Sequence, residues 1–437
     1  MRRLAFCMMI AVLSPLGIRA EEMQPGPRPA PIKVGKEFFL LEGGPGQGVQ
    51  GTPHVAYGQG LYLVVWREGW HGKGGKARIC AARVSPQGKA LDPKGIEIAP
   101  ADAGVQERPR VAFGGGAFLV VWQDLRNGKD YDVLAARIDP DGKVFDASPI
   151  GVAVAPRTQV LPDVASDGDN FLVVWQGLQG EETAYRGFAA VVAKDGRVGA
   201  AVETGATPQP KIAWNGRSYL AAYGSQTVFT VMLDREGRPL GATKYGNQTI
   251  RSTKAAVFSI SGEPGKGWLV VGHRSPPDPW GWGGPGAMRA ALVGADGRLQ
   301  NEDAVKEPSG VSSRLPGWLD LGKEKKAGAT WPWGESTSAW DGGHSLVVWQ
   351  RHHLRGEKMT NFTNCDLVAA RVDGFRSLDP AGVPIAASGA EEKWPALASD
   401  GAGSLLCVYE RHQDGDTRIA ARVISVARPP SGREPSR

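Results

Sequence analysis

Between Pro109 and Pro156 the chain passes through four short apolar runs separated by polar turns. Pro109-Arg110-Val111-Ala112-Phe113 breaks at Gly114-Gly115-Gly116, and Phe118-Leu119-Val120-Val121-Trp122 follows. A polar loop leads into Val133-Leu134-Ala135-Ala136-Arg137-Ile138, then Asp139-Pro140-Asp141-Gly142, then Val152-Ala153-Val154-Ala155. Four strand-length runs with three turn signals predict a four-stranded antiparallel meander. Side chains alternate between the two faces of a strand, yet Leu119 and Val121 on one face and Phe118, Val120 and Trp122 on the other are all apolar. Such a strand must be covered on both sides.

The same unit recurs along the chain. Pro53-His54-Val55-Ala56 precedes Leu63-Val64-Val65-Trp66, and Pro162-Asp163-Val164-Ala165 precedes Leu172-Val173-Val174-Trp175. Weaker copies are Pro210-Lys211-Ile212-Ala213 with Leu220-Ala221-Ala222-Tyr223, then Trp268-Leu269-Val270-Val271-Gly272. A sixth has Ser338-Ala339-Trp340 before Leu346-Val347-Val348-Trp349, and a seventh Pro395-Ala396-Leu397-Ala398 before Leu405-Leu406-Cys407-Val408-Tyr409. Third strands such as Ala81-Ala82-Arg83-Val84 and Ala369-Ala370-Arg371-Val372 follow, and turns of the Asp-Gly type close the next hairpin. The seventh copy ends near Val426 with no fourth strand, while Gly35-Lys36-Glu37-Phe38-Phe39-Leu40-Leu41 stands alone ahead of the first. The expected architecture is all-β: a seven-bladed β-propeller over residues 35–426, closed by the N-terminal strand.

At these residues the chain resembles a broad group of secreted bacterial repeat proteins whose units read Pro-x-Val-Ala, Leu-Val-Val-Trp, Ala-Arg-Val and Asp-Gly-x-x-Leu-Asp. The resemblance implies a propeller scaffold and names no activity. The Ser-x-Asp-x-Gly-x-Thr-Trp boxes of sialidases are absent from the sequence.

Composition adds the compartment. Arg2 and Arg3, an apolar run from Leu4 to Leu13 and Ile18-Arg19-Ala20 read as a signal peptide over residues 1–20, which predicts export to the periplasm or beyond. A Pro-rich linker over 21–34 and a disordered tail over 427–437 flank the propeller. The 51 Lys and Arg against 45 Asp and Glu are scattered, so no nucleic-acid footprint is expected, and no membrane span after the leader. Cys80, Cys365 and Cys407 are too few and too unevenly spaced for a disulfide framework, and Cys407 occupies the place of Val120 in the repeat. A monomer is expected.

Chemistry is sought where the repeat is irregular. Second-to-third loops and inter-blade connections share one face of the disc, and function concentrates in loops on a rigid scaffold. Two insertions, 276–284 and 306–335, carry Trp280 and Trp282, and Trp318, Trp331 and Trp333, all outside the repeat framework. His273-Arg274 follows the fifth second strand, and matching tetrads bring Arg351-His352 and Arg411-His412. Indoles stacking on a ring, with these cations donating hydrogen bonds, make the expected ligand site. Neither metal nor other cofactor is expected: the histidines have no ligand spacing, and Asp139-Pro140-Asp141-Gly142 lacks the further carboxylates of a calcium loop. No Gly-x-Ser-x-Gly elbow or phosphate-binding glycine loop occurs. The expected function is a non-catalytic binding scaffold for a glycan, small ligand or envelope protein. The alternatives are a glycoside hydrolase or lyase whose carboxylates meet across blades, and a structural repeat of an envelope assembly.

Overall fold

The computed structural model describes residues 30–42, 49–69, 75–100, 104–181, 183–205, 209–224, 228–241, 248–250, 255–274, 287–300, 318–321, 336–354 and 362–427. They form seven antiparallel sheets and, among the described residues, no helix. None of the described residues forms a helix long and apolar enough to cross a membrane.

Blade two, the clearest repeat, consists of Gln106–Gly114, Ala117–Asp124, Asp132–Ile138 and Ile150–Ala153 in simple up-and-down order. The turn at Asp139 to Gly142 closes on a Gly142 N–H bond to the Asp139 carbonyl, with Gly142 at φ 88°, a conformation that costs glycine little. The first strands of the other blades are Gln50–Gly58, Gln159–Ser166, Lys211–Trp214, Ala255–Glu263, Ser336–Trp340 and Glu391–Ser399. Each contacts the first strand of the next blade, and the seventh contacts that of blade one, so the ring is closed.

The N-terminal segment completes that ring. Lys33–Val34 and Phe38–Phe39 pair with Asp416–Ser425, the third strand of blade seven, and so form its outer edge. Leu40 behind them is fully buried. The cores lie between blades. Trp66, Trp122, Trp175, Trp268 and Trp349 are among the largest fully buried side chains, and Ala81, Ala135, Ala189 and Ala369 in third strands leave room for their neighbours. Trp318, expected outside the repeat, pairs with Ala291 in Trp318–Asp320, the outer strand of blade five.

Polar repeat residues bind blade to blade. The Ala-Ala-Arg arginines Arg83, Arg137 and Arg371 each make a bidentate bond to their own blade's Asp92, Asp146 and Asp379. Each also donates outward: Arg83 to the Pro140 carbonyl, Arg137 to the Lys194 carbonyl, Arg371 to the Ala30 carbonyl of the N-terminal segment. The aspartate that follows the third-strand turn in each of these blades therefore serves to aim a clamp.

Candidate functional site: the central channel

The innermost strands surround a cavity of about 190 Å³ on the ring axis. Each blade contributes the residue that stands at x in Pro-x-Val-Ala. These are His54, Arg110, Asp163, Lys211, Ser259, Thr337 and Ala396. Their partners on the second strands are Val65, Val121, Val174, Ala222, Val271, Val348 and Val408, the third position of each Leu-Val-Val-Trp copy. Seven equivalent positions therefore converge from seven blades.

A local distortion places them there. Thr52, Arg108, Leu161, Gln209 and Trp394, each just before the repeat proline, have φ between 52° and 57°. Left-handed backbone at a non-glycine residue is strained, of order 1–3 kcal/mol, and needs outside support. Four of the five receive it from the preceding blade. Gln123 accepts the Leu161 N–H at 3.0 Å, Gln176 that of Gln209 at 2.9 Å, and Gln350 that of Trp394 at 3.0 Å. Glu410 accepts the Thr52 N–H at 2.7 Å. These acceptors all follow the second-strand Trp or Tyr. The strand bulges immediately after, between Gly51 and His54 and at matching places in blades two, three and seven. Bulges re-aim side chains, and here the next one points into the channel.

Some channel residues cap the neighbouring strand. His54 Nδ1 accepts the Val111 N–H at 3.2 Å, and Asp163 Oδ2 accepts the Ile212 N–H at 3.0 Å. Ser259 Oγ lies 3.2 Å from Ser338 Oγ. In each case the contact is to the residue after x in the following blade. Arg110 donates Nη1 to the Pro109 carbonyl, and its Nε lies 3.9 Å from Asp163 Oδ1. Burial holds the His54 imidazole well below its ordinary pKa, and the charges of Arg110 and Lys211 push it the same way. Burial raises the Asp163 carboxyl, opposed by Lys211 and Arg110.

Of the residues expected from sequence to form the site, some lie outside the described residues and the others do not line the channel. Trp280, Trp282, Trp331 and Trp333 lie outside the described residues. His273 and Arg274 end the second strand of blade five, paired with Ala256 and Ala255. The tetrads are not loops: second strands Ser345–Leu354 and Ser404–Gln413 run through them. Strand alternation then sends Arg351 and His352 to opposite faces, and Arg411 and His412 likewise. Arg351 donates to the Ala381 carbonyl at 3.3 Å. Arg411 lies 3.3 Å from Glu37 and over the Phe39 ring, holding the N-terminal segment. His412 bonds Glu410 at 2.8 Å and Thr417 at 3.1 Å. Alternation thus separates the two members of each pair. The sequence signal for the channel was the x position itself, charged or polar in six of the seven blades.

No protein-family model and no curated protein matches this chain. Among solved structures, a protein of unknown function from Dyadobacter fermentans DSM 18053 is similar at 10% identity and TM-score 0.50, over 91% of this chain and 99% of that one. A Trypanosoma rangeli sialidase follows at 9% identity and TM-score 0.42, over 86% of this chain and 55% of that one. A putative glycosidase from Bacteroides thetaiotaomicron VPI-5482 has 11% identity and TM-score 0.37, over 86% of each chain. The first likeness concerns the fold alone, and the other two are too distant to bear on this chain's chemistry.

Proposed function

We propose that this protein is an exported, non-catalytic binding propeller that takes a small polar ligand in its central channel. The observation that carries this is the convergence of seven equivalent side chains on one cavity, four of them His54, Arg110, Asp163 and Lys211. A packed structural core would not place ionisable groups there, because burying them is costly. Glycoside hydrolysis needs two carboxyl groups about 5–9.5 Å apart. Among the described residues Asp163 is the single carboxylate lining the cavity, and it is engaged by the Ile212 N–H. The cavity of about 190 Å³, lined largely by polar side chains, suits a small polar ligand. Export rests on the leader pattern of residues 1–20.

The test is a metabolite screen by thermal shift and calorimetry on the protein and on Thr337→Trp, whose indole fills the channel. Binding should be lost in Thr337→Trp while its circular dichroism and melting stay near those of the parent. A Trp280→Ala/Trp282→Ala variant runs alongside. Ligand binding that survives the plug but is abolished in the tryptophan variant would overturn the channel reading. N-terminal sequencing of material recovered from outside the cytoplasm checks the export.

A further inference from the structure

Blade seven departs from blades one to three at one buried position. The first strands of those three blades carry a buried glutamine, Gln50, Gln106 or Gln159, opposite the residue two places after the second-strand tryptophan. In blade seven the same place holds Glu392, opposite Arg411, which stands two places after Tyr409. Directly opposed residues of an antiparallel pair share a face, about 4.5–5.5 Å apart at Cβ, and opposite charges so placed attract. Between these two described residues no ion pair forms. Glu392 is fully buried, its Oε1 accepts the Ser388 hydroxyl and N–H, and its Oε2 has no hydrogen-bond partner. Arg411 reaches instead to the N-terminal segment, with its Nε 3.3 Å from Glu37 Oε1 and its guanidinium over the Phe39 ring.

The surroundings of Glu392 are acidic. Asp366 acts on it from the third strand of blade six, where His353 holds that carboxylate at 2.6 Å, and Glu37 acts from the N-terminal segment. Glu391 and Lys393 on either side bond to each other. Arg418 and Arg422 are committed to the segment, donating to the Leu41 and Gly35 carbonyls. A buried carboxylate with an unpartnered oxygen and two other carboxylates nearby is costly, whereas a neutral carboxyl is tolerated. Burial accordingly holds the Glu392 carboxyl above its ordinary pKa, and Asp366 and Glu37 push the same way against the Ser388 bonds. As an acid, Glu392 resembles the glutamines of blades one to three. As a carboxylate, it becomes a charge-assisted partner for the arginine directly opposite. Arg411 is able to change sides at small cost, because its Nε is not aligned for a hydrogen bond to Glu37.

We propose that Glu392 is a proton-operated catch on the N-terminal strand. Protonated, it leaves Arg411 to Glu37, and the strand lies closed on blade seven. Ionised, it draws Arg411 back across its own strand pair, and the N-terminal strand loosens. Closure of the ring is thereby tied to pH. The closed form is complete below about pH 4.5 and is lost as pH rises through the raised folded value.

The experiment follows hydrogen exchange of residues 33–39 in the full chain from about pH 4.5 to 8, corrected for the intrinsic rate, with residues 117–124 as reference. Protection of 33–39 should fall about fivefold as pH rises, the upper end for a partly exposed ion pair, while 117–124 stays unchanged. Glu392→Gln places there the amide that blades one to three already carry, so it should fold and keep the parent's low-pH protection throughout. Arg411→Gln should show the lower protection at every pH. A merely structural Glu392 would alter the level of protection without altering its pH dependence. Equal pH dependence in the parent and in Glu392→Gln overturns the proposal. A flat parent profile does so too, as does a parent in which 33–39 and 117–124 fall in step. An Arg411→Gln variant that keeps the parent's response also overturns it.

Discussion

Glu410 Oε1 accepts the backbone N–H of Thr52 at 2.7 Å, across a separation of 358 residues. The bond spans the seam where blade seven meets blade one. Gln123, Gln176 and Gln350 do the same for other pairs of blades. The last contact to close the ring is therefore built like the ones within it. A carboxylate serves where the others use an amide, with His412 bonded to its second oxygen.

Glu410→Gln should accordingly leave stability nearly unchanged, because an amide oxygen fills this role elsewhere in the ring. Glu410→Ala leaves the Thr52 N–H without its acceptor and should cost about 1–3 kcal/mol. Denaturant titration of both variants checks this. Equal losses in the two would mean that the charge, not the acceptor, matters at the seam.

The N-terminal strand should be required for closure. Removing residues 1–42 exposes the outer edge of blade seven and takes away Phe38, Phe39, Leu40 and Arg411's partner Glu37. With about 1.5–3 kcal/mol for each large apolar side chain fully withdrawn from the core, the loss should reach several kcal/mol. An unchanged melting temperature would rule out this role.

Trp122 is fully buried and donates Nε1 to Asp124 at 2.8 Å. Trp122→Ala should destabilise by about 3–5 kcal/mol through the cavity it leaves. Since Trp122 does not line the channel, ligand affinity at low temperature should not change. Chemical denaturation and calorimetry measure the two effects separately.

His54 gives the channel a pH signature. Its folded pKa is held below the ordinary value near 6.5, so below pH 6.5 the unfolded chain binds a proton that the folded protein resists. Stability therefore falls as pH drops from about 6.5 towards the folded pKa. His54→Asn keeps an acceptor for the Val111 N–H and removes the titration. The variant should lose less stability than the parent between about pH 6.5 and pH 5. Parallel slopes for the two proteins would show that His54 titrates normally in the fold.

Cys407 is fully buried and unpaired, and burial pushes its thiol up to about 12. Cys407→Val should cost less than about 1.5 kcal/mol, as volume-matched apolar exchanges do. In the native protein Cys407 should resist a thiol-specific reagent until denaturant is added. Rapid labelling without denaturant would contradict its burial.

The blade count and the ring closure were legible because their signals are local. A strand covered on both sides must be apolar at successive positions, as Phe118 to Trp122 are, and a tight hairpin needs a residue such as Gly142. The orphan strand near Phe38 and the missing fourth strand after Val426 leave one another as partners, and the sheet pairing agrees. The site was not legible in that way. Arg351-His352 and Arg411-His412 look like paired functional motifs, but the second strands extend through them and alternation separates each pair. His54, Arg110, Asp163 and Lys211 lie on four different blades and have no motif spacing. Only closure of the ring brings them to one axis, and only the left-handed residue ahead of each proline turns them inward. Ahead of His54, Asp163 and Lys211 that conformation is held by a side chain from the preceding blade, a tertiary contact that no stretch of sequence contains.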